Sequence, residues 1–267
     1  MSWWSLYVKE LRLTKHKFLI NIGGLFIVAI ILLVLGERYN PLFLIPIIPI
    51  LIVVHFLYLF FAMLDSLRQE WKQKTSIFWL NIPSSGFQLL TAKFVAAMSQ
   101  LFISLSGTFV IVYFLLKRSV GNVADPTIPA FIVEQFQSFW WVLFFVVLIG
   151  ALQLGAFSTF IYMMAKSIRK WGWLLGIVIV AVANWLWSSF QETAIYKAVT
   201  EWGAILSEKE LINAFFVEFD SMNGSPTMDI ETMNEVVLYF GSTLVNLLVI
   251  IAILYASAWL LDHKVEA

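Results

Sequence analysis

Cysteine is absent from the 267 residues, which excludes disulfides, zinc–thiolate sites and a cysteine nucleophile and leaves the redox compartment unread. Charge is scarce: Asp, Glu, Lys and Arg make up 13% of the chain, against about 25% in a typical soluble domain. Histidine occurs three times, at His16, His55 and His263, too dispersed to suggest a shared metal, and no H-E-x-x-H is present. No G-x-x-x-x-G-K-[ST] loop occurs, so the chain lacks the usual cradle for ATP phosphates. An intramembrane protease or lipid-modifying enzyme needs paired catalytic groups at membrane depth, and His55 is the one ionisable residue inside an apolar run. Internal repeats and low-complexity segments are missing too.

What the chain has is hydrocarbon. Apolar residues make up 61%, with 24 Phe and 12 Trp, a composition suited to lipid and its interfaces. Six segments reach the roughly 20 apolar residues that a spanning helix needs: 18–35, 42–64, 94–116, 139–165, 171–190 and 236–261. Barrel strands would instead be about ten residues of alternating pattern. The expected fold is therefore an all-α integral membrane protein with six transmembrane helices, forming a single domain over 1–267. Pro46 and Pro49 lie inside the second segment and are expected to kink or break it. Residues 1–17 gather Trp3, Trp4, Leu6, Tyr7, Val8, Leu11 and Leu13 on one arc, opposite Ser5, Lys9, Arg12 and His16. That pattern predicts an amphipathic helix lying in the membrane interface; the long apolar run after it and the missing small-residue cleavage site disfavour a signal peptide.

Placing both termini in the cytoplasm sorts the charges. The cytoplasmic pieces 1–17, 65–93, 166–170 and 262–267 then carry 12 Lys/Arg and 5 Asp/Glu, and the external pieces carry 5 Lys/Arg and 12 Asp/Glu. A net charge of zero conceals a full polarisation, in the sense of the positive-inside rule. The longest external connection, 191–235, contains nine acids and two lysines. Within it Ser207 and Glu210 form a capping box that predicts a helix through Leu211, Ile212, Phe215, Phe216 and Phe219.

Polar residues inside the spans are few. Asn21, Gln100, Gln153, Asn184 and Asn246 read first as interhelical hydrogen-bonding groups. As candidate path-lining residues, Asn21, His55, Gln100, Asn184 and Asn246 form the alternative set. His55, without a visible carboxylate partner, reads as a neutral, hydrogen-bonded packing residue, with a membrane-embedded enzyme using it as the rival reading. Gly172 and Gly176 suggest a close helix approach. With no buried Asp or Glu in the spans, the chain shows no ion-coupling device of its own, and any uphill work must come from a partner on the cytoplasmic side.

One cytoplasmic segment is long enough to receive such a partner, 65–93. Arg68, Glu70, Lys72 and Lys74 are expected on a short solvated helix continuing the second span. Ile77, Phe78, Trp79, Leu80 and Ile82 follow as an apolar ridge ended by Pro83. Ser84 and Ser85 are suited to cap the next helix, which opens with Phe87. Physical chemistry alone leaves two readings open: a protein-docking element, or a ridge resting in the inner headgroup layer.

The order Glu70, Thr75, Leu80, Pro83, Ser85, Leu89, Leu90, Lys93 resembles the loop after the second span in ABC-2-type permeases, the membrane subunits of one class of ABC exporter. The ending with Leu260, Leu261, Asp262, Lys264, Val265 and Glu266 is similar to a common C-terminus in that family. The likeness covers nearly the whole chain, except that 191–235 is longer and more acidic than the short pair of apolar helices found there in many relatives. The resemblance implies a type V exporter-like permease in a bacterial plasma membrane. It implies no catalytic site and no cofactor in this chain, with ATP and Mg²⁺ held by a separate ABC ATPase subunit. Further partners would be a second permease, as homo- or heterodimer, and membrane lipid, with no nucleic acid. Arg68, Glu70, Lys72, Lys74, Thr75, Trp79, Leu80, Pro83, Ser85 and Phe87 become the expected ATPase-docking residues. The cargo class implied is an amphipathic molecule, such as a peptide or a cell-envelope-active antibiotic; a regulatory or sensing subunit of such a complex is the alternative.

Overall fold

A computed structural model describes residues 2–38, 44–75, 83–121, 127–168, 170–207 and 236–265. In chain order the elements are α1 (Trp3–Arg38), α2 (Leu44–Phe56), α3 (Tyr58–Lys72), α4 (Gly86–Gly121), α5 (Thr127–Ser167), α6 (Gly172–Gln191), α7 (Ala194–Thr200), β1 (Ala204–Ser207), β2 (Val236–Tyr239) and α8 (Phe240–Lys264). Six helical stretches are long and apolar enough to cross a membrane: Trp3–Gly36, Pro46–Lys72, Gly86–Gly121, Pro129–Ser167, Gly172–Gln191 and Phe240–Lys264. The chain is a multi-pass membrane protein with a helical architecture.

Helix α4 has 36 residues and α5 has 41, so at 1.5 Å per residue each is about 54–62 Å long, nearly twice the roughly 30 Å hydrocarbon core. Their ends must therefore stand clear of the bilayer core. Contacts divide the chain into one unit of Met1–Ile177 with Ala252–Ala267 and another of Val178–Ile251.

In the first unit, α3, α4 and α5 supply the densest packing. Leu59, Met63, Leu67, Leu90, Leu101, Leu105 and Met163 are fully buried. Small residues let the backbones close in, as expected where lipid gives no hydrophobic drive between helices. A methyl group on Gly150 would overlap the Phe56 ring, and one on Gly155 would press into Leu59 and Phe94. The expected close approach at Gly172 and Gly176 is present, against Met164 and Ile161.

Two expectations need correction here. Helix α1 runs without interruption from Trp3 to Arg38, so residues 1–17 are not a separate interfacial helix. Leu6 and Glu10 are buried, and the indole of Trp3 donates to Thr91 Oγ1 at 3.1 Å. Tyr7 Oη shares a hydrogen bond with Ser99 Oγ at 3.1 Å, and Gln100 Nε2 donates to Thr14 Oγ1 at 2.6 Å. These contacts hold the N-terminal turns along α4, in the parallel sense that a first and a third span must have. The second correction concerns the break in the second span. Pro49 sits inside α2, and the interruption falls at Leu57, between α2 and α3. Pro46 falls in the first turn of α2, where its missing N–H removes no intrahelical bond, whereas Pro49 lies past that turn and leaves the Ile45 carbonyl without its helical donor; the junction sits where Phe56 and Leu59 enter the glycine notches of α5.

In the second unit, Thr193 caps α7 by accepting from the Tyr196 N–H at 3.3 Å, and Tyr196 meets Trp187 and Phe190 edge-on. Gly203 turns the chain into β1 with φ +66°, a conformation that favours glycine. Strands β1 and β2 pair antiparallel, with Ala204 opposite Tyr239 and Ser207 opposite Val236. This ribbon was not expected in an otherwise helical chain, and it delays the last apolar helix to Phe240. The helix expected from the Ser207–Glu210 capping box lies outside the described residues.

Candidate functional site

The charged segment after the second apolar run continues helix α3 and packs one face against its neighbours. Ser66 and Glu70 are one turn apart on α3 and share a face, and Lys93 faces them from the third turn of α4. Lys93 Nζ donates to Glu70 Oε1 at 2.8 Å, to Glu10 Oε2 on α1 at 2.8 Å, and to Ser66 Oγ at 3.4 Å. The side chains of Lys93, Glu10 and Glu70 are 1%, 5% and 9% exposed, so this is a desolvated cluster rather than a surface ion pair. Thr75 Oγ1 donates to the second Glu70 oxygen at 2.8 Å. A pocket of about 280 Å³ adjoins the cluster and is lined in part by Lys9, Gln69 and Gln73.

The end of α3 explains how Thr75 arrives there. Thr75 N–H donates to the Glu70 carbonyl at 3.0 Å, and Lys74 N–H to the Trp71 carbonyl at 3.2 Å. With Lys74 at φ 57°, this is a Schellman stop in which lysine occupies the left-handed position usually given to glycine. The turn aims the Thr75 hydroxyl back at the Glu70 side chain.

The start of α4 is tied down separately. Gly86 N–H donates to Asp262 Oδ1 at 2.8 Å, so an acid near the C-terminus of α8 satisfies an orphan donor and complements the positive end of the helix dipole. A Cβ at residue 86 would lie 2.6 Å from that oxygen and 3.0 Å from the Ala258 carbonyl, hence the glycine. Ser85 Oγ accepts from Gln88 N–H at 3.4 Å, the capping role expected for it. Ser84 Oγ is buried with no hydrogen-bond partner among the described residues.

The expected docking residues thus separate into groups. Arg68, Lys72, Lys74, Pro83 and Ser85 are exposed. Glu70 is not on a solvated face, as expected from its charged neighbours; it is buried because Lys93 and Thr75 satisfy its carboxylate. Thr75 is half-buried against it, and Phe87 is half-buried with its ring 6.1 Å from that of Tyr255. Trp79 and Leu80 lie outside the described residues. Glu10 and Asp262 were missed as members of the site. The available signal for Glu10 was its place as the one acid among the bases of residues 1–17.

Of the candidate path residues, Asn21, His55 and Gln100 lie in the first unit and Asn184 and Asn246 in the second. Asn21 is exposed on α1 and bonds Tyr58, Gln100 is buried on Thr14, Asn184 is exposed, and Asn246 is half-buried. His55 has both ring nitrogens engaged. Nδ1 lies 2.9 Å from the Leu51 carbonyl, and Nε2 lies 3.0 Å from Ser104 Oγ and 3.2 Å from Thr108 Oγ1. A carbonyl accepts only, so Nδ1 carries a proton, and the hydroxyls of Ser104 and Thr108 meet Nε2. Among the described residues no three His, Asp or Glu side chains gather as metal ligands. Compared with protein-family models, with curated proteins and with solved structures, the chain matches none.

The chemistry available at the loop base is mechanical. Two helix ends and the N-terminal helix are joined by a buried ion cluster. Thr75 and Gly86, on either side of residues 76–85, are each held by a hydrogen bond to a carboxylate.

Proposed function

We propose that this chain is the permease subunit of a bacterial ABC exporter of the ABC-2 type, acting in the plasma membrane with both termini cytoplasmic. It moves an amphipathic substrate using ATP and Mg²⁺ bound by a separate ATPase subunit, and works as a homo- or heterodimer of permeases. The observation that carries this reading is the clamped base of residues 76–85. A segment that receives force must be anchored, or the push is lost in its own bending. Here Glu70 and Thr75 on one side and Lys93 on the other are locked together, with Gly86 pinned to Asp262.

Three features support it further. The acid, threonine and lysine through which the loop resembles ABC-2 permeases are the residues that form the clamp. Arg68, Lys72 and Lys74 remain exposed beside it, available to an acidic protein surface. His55 is buried with a backbone carbonyl and two hydroxyls as its hydrogen-bond partners, which suits a packing residue. Purification of the full chain from its native membrane tests the proposal. An ABC ATPase whose hydrolysis rate changes when the chain is removed is the expected companion. Recovery without any ATPase, or with one indifferent to the chain, overturns the reading and leaves the regulatory or sensing alternative.

A further inference from the structure

Away from the cytoplasmic clamp, α4 and α5 enclose a lateral groove of about 660 Å³. Its α4 wall is a helical stripe at Phe102, Ser106, Phe109, Val110 and Tyr113, and its α5 wall includes Trp140 and Phe144. Phe109 and Phe144 are buried and form the floor, their rings edge to face at 5.4 Å, while Phe102, Val110 and Trp140 are exposed along the rim. The groove is thus concave and open to the side of the bundle, unlike the convex faces that ordinary boundary lipid covers.

Its polarity changes along its length. From Phe102 to Tyr113 the helical rise is about 16 Å, close to half of the roughly 30 Å hydrocarbon core and so to the chains of one leaflet. Apart from Ser106 in the middle of the α4 wall, the polar groups lie toward one end. Gln137 Nε2 donates to Tyr113 Oη at 3.3 Å, and the Lys117 ammonium stands 6.0 Å from the Tyr113 ring. Lys117 is exposed one turn beyond Tyr113, and Glu134 is exposed one turn before Gln137 on α5; neither lines the groove, and Lys117 is the one that stands over the ring of a lining residue. An apolar slot one leaflet deep with a cation at its mouth matches one ligand chemistry: an acyl chain ending in an anionic phosphate.

We propose that this groove retains one anionic phospholipid, with an acyl chain over Phe109 and Phe144 and its phosphate at Lys117. By the positive-inside orientation, Lys117 lies at the external edge, so the lipid belongs to the outer leaflet. The site does not depend on the chain being a permease.

The test uses the full-length chain in mild detergent, offered phosphatidylglycerol or phosphatidylcholine and read by native mass spectrometry. The expected result is one retained phosphatidylglycerol per chain, held more tightly than phosphatidylcholine. Lys117→Gln should weaken phosphatidylglycerol retention roughly fivefold, the worth of one interfacial cation, leave phosphatidylcholine unchanged, and be rescued by Lys117→Arg. Val110→Trp, which fills the groove, should reduce retention of both lipids at least tenfold. Phe114→Trp, an exposed position on α4 outside the lining, should change neither and controls for folding. Equal retention of the two lipids by the native chain overturns the proposal. So does retention that survives Val110→Trp, or retention lost equally in Phe114→Trp. Displacement of the lipid by a cationic amphipathic peptide that Lys117→Gln binds better would also overturn it, assigning the groove to a transported substrate.

Discussion

Lys93→Met is the most informative single substitution. Two carboxylates and one ammonium meet in the cluster, all at least nine-tenths buried. Removing the ammonium leaves two buried negative charges facing each other. Breaking a buried ion pair by deleting one partner costs about 3–5 kcal/mol, because the remaining charge is uncompensated. At roughly 2–4 °C per kcal/mol for chains of about this size, the unfolding midpoint should fall by about 6–20 °C. Glu10→Gln should be milder, since Lys93 keeps Glu70 and only one charge-assisted hydrogen bond is weakened, worth about 1.5–3 kcal/mol. The decisive comparison is the all-apolar variant Glu10→Leu, Glu70→Leu, Lys93→Met. Replacing a buried ion triad by hydrophobic residues of similar volume is often neutral or stabilising, and Thr75 Oγ1 still reaches the residue 70 carbonyl, now 3.2 Å away. The triple variant should therefore regain most of the lost stability. The assay is heating of the detergent-solubilised protein, followed by the monodisperse fraction remaining. A midpoint for Lys93→Met within about 2 °C of the native chain, which is under roughly 1 kcal/mol, would refute the desolvated cluster. A triple variant as unstable as the single would show that the penalty is not electrostatic.

Further substitutions probe the rest of the clamp. Asp262→Ala should cost about 0.5–2 kcal/mol, the range for loss of a helix N-cap, seen as a lower thermal midpoint; Gly86→Ala should cost at least as much, because its methyl displaces the same carboxylate. Lys74→Gly should raise stability by up to about 1–2 kcal/mol by relieving a left-handed non-glycine residue, without altering insertion.

The six spans were legible because the bilayer imposes a length on every crossing helix, and hydropathy reads that length directly. The continuity of α1 was not. Trp3, Tyr7, Glu10 and Thr14 form a stripe that meets α4, but a mixed aromatic and polar stripe at helical spacing looks the same whether it faces headgroups or a neighbouring helix. Glu70 was misread for a related reason. Its neighbours Arg68 and Lys72 are solvated, and only a tertiary contact distinguishes a residue pointing at Lys93 from one pointing at water. The cluster joins positions 10, 70 and 93, too far apart in the chain for any local pattern to connect. Pro46 misled because a proline's effect depends on where the helix begins, and α2 begins at Leu44, two residues before it. The β1–β2 ribbon uses four-residue strands with an irregular register, too short for alternation to stand out.

The central claim is that force enters through residues 76–85 from a bound ATPase. Its most direct measurement is ATPase recovery with the purified chain carrying Leu80→Glu or Trp79→Asp, compared with the native chain at equal membrane insertion. The account predicts that either substitution leaves the chain inserted and releases the ATPase, with loss of chain-dependent hydrolysis. Normal recovery of an active complex after both substitutions would contradict it.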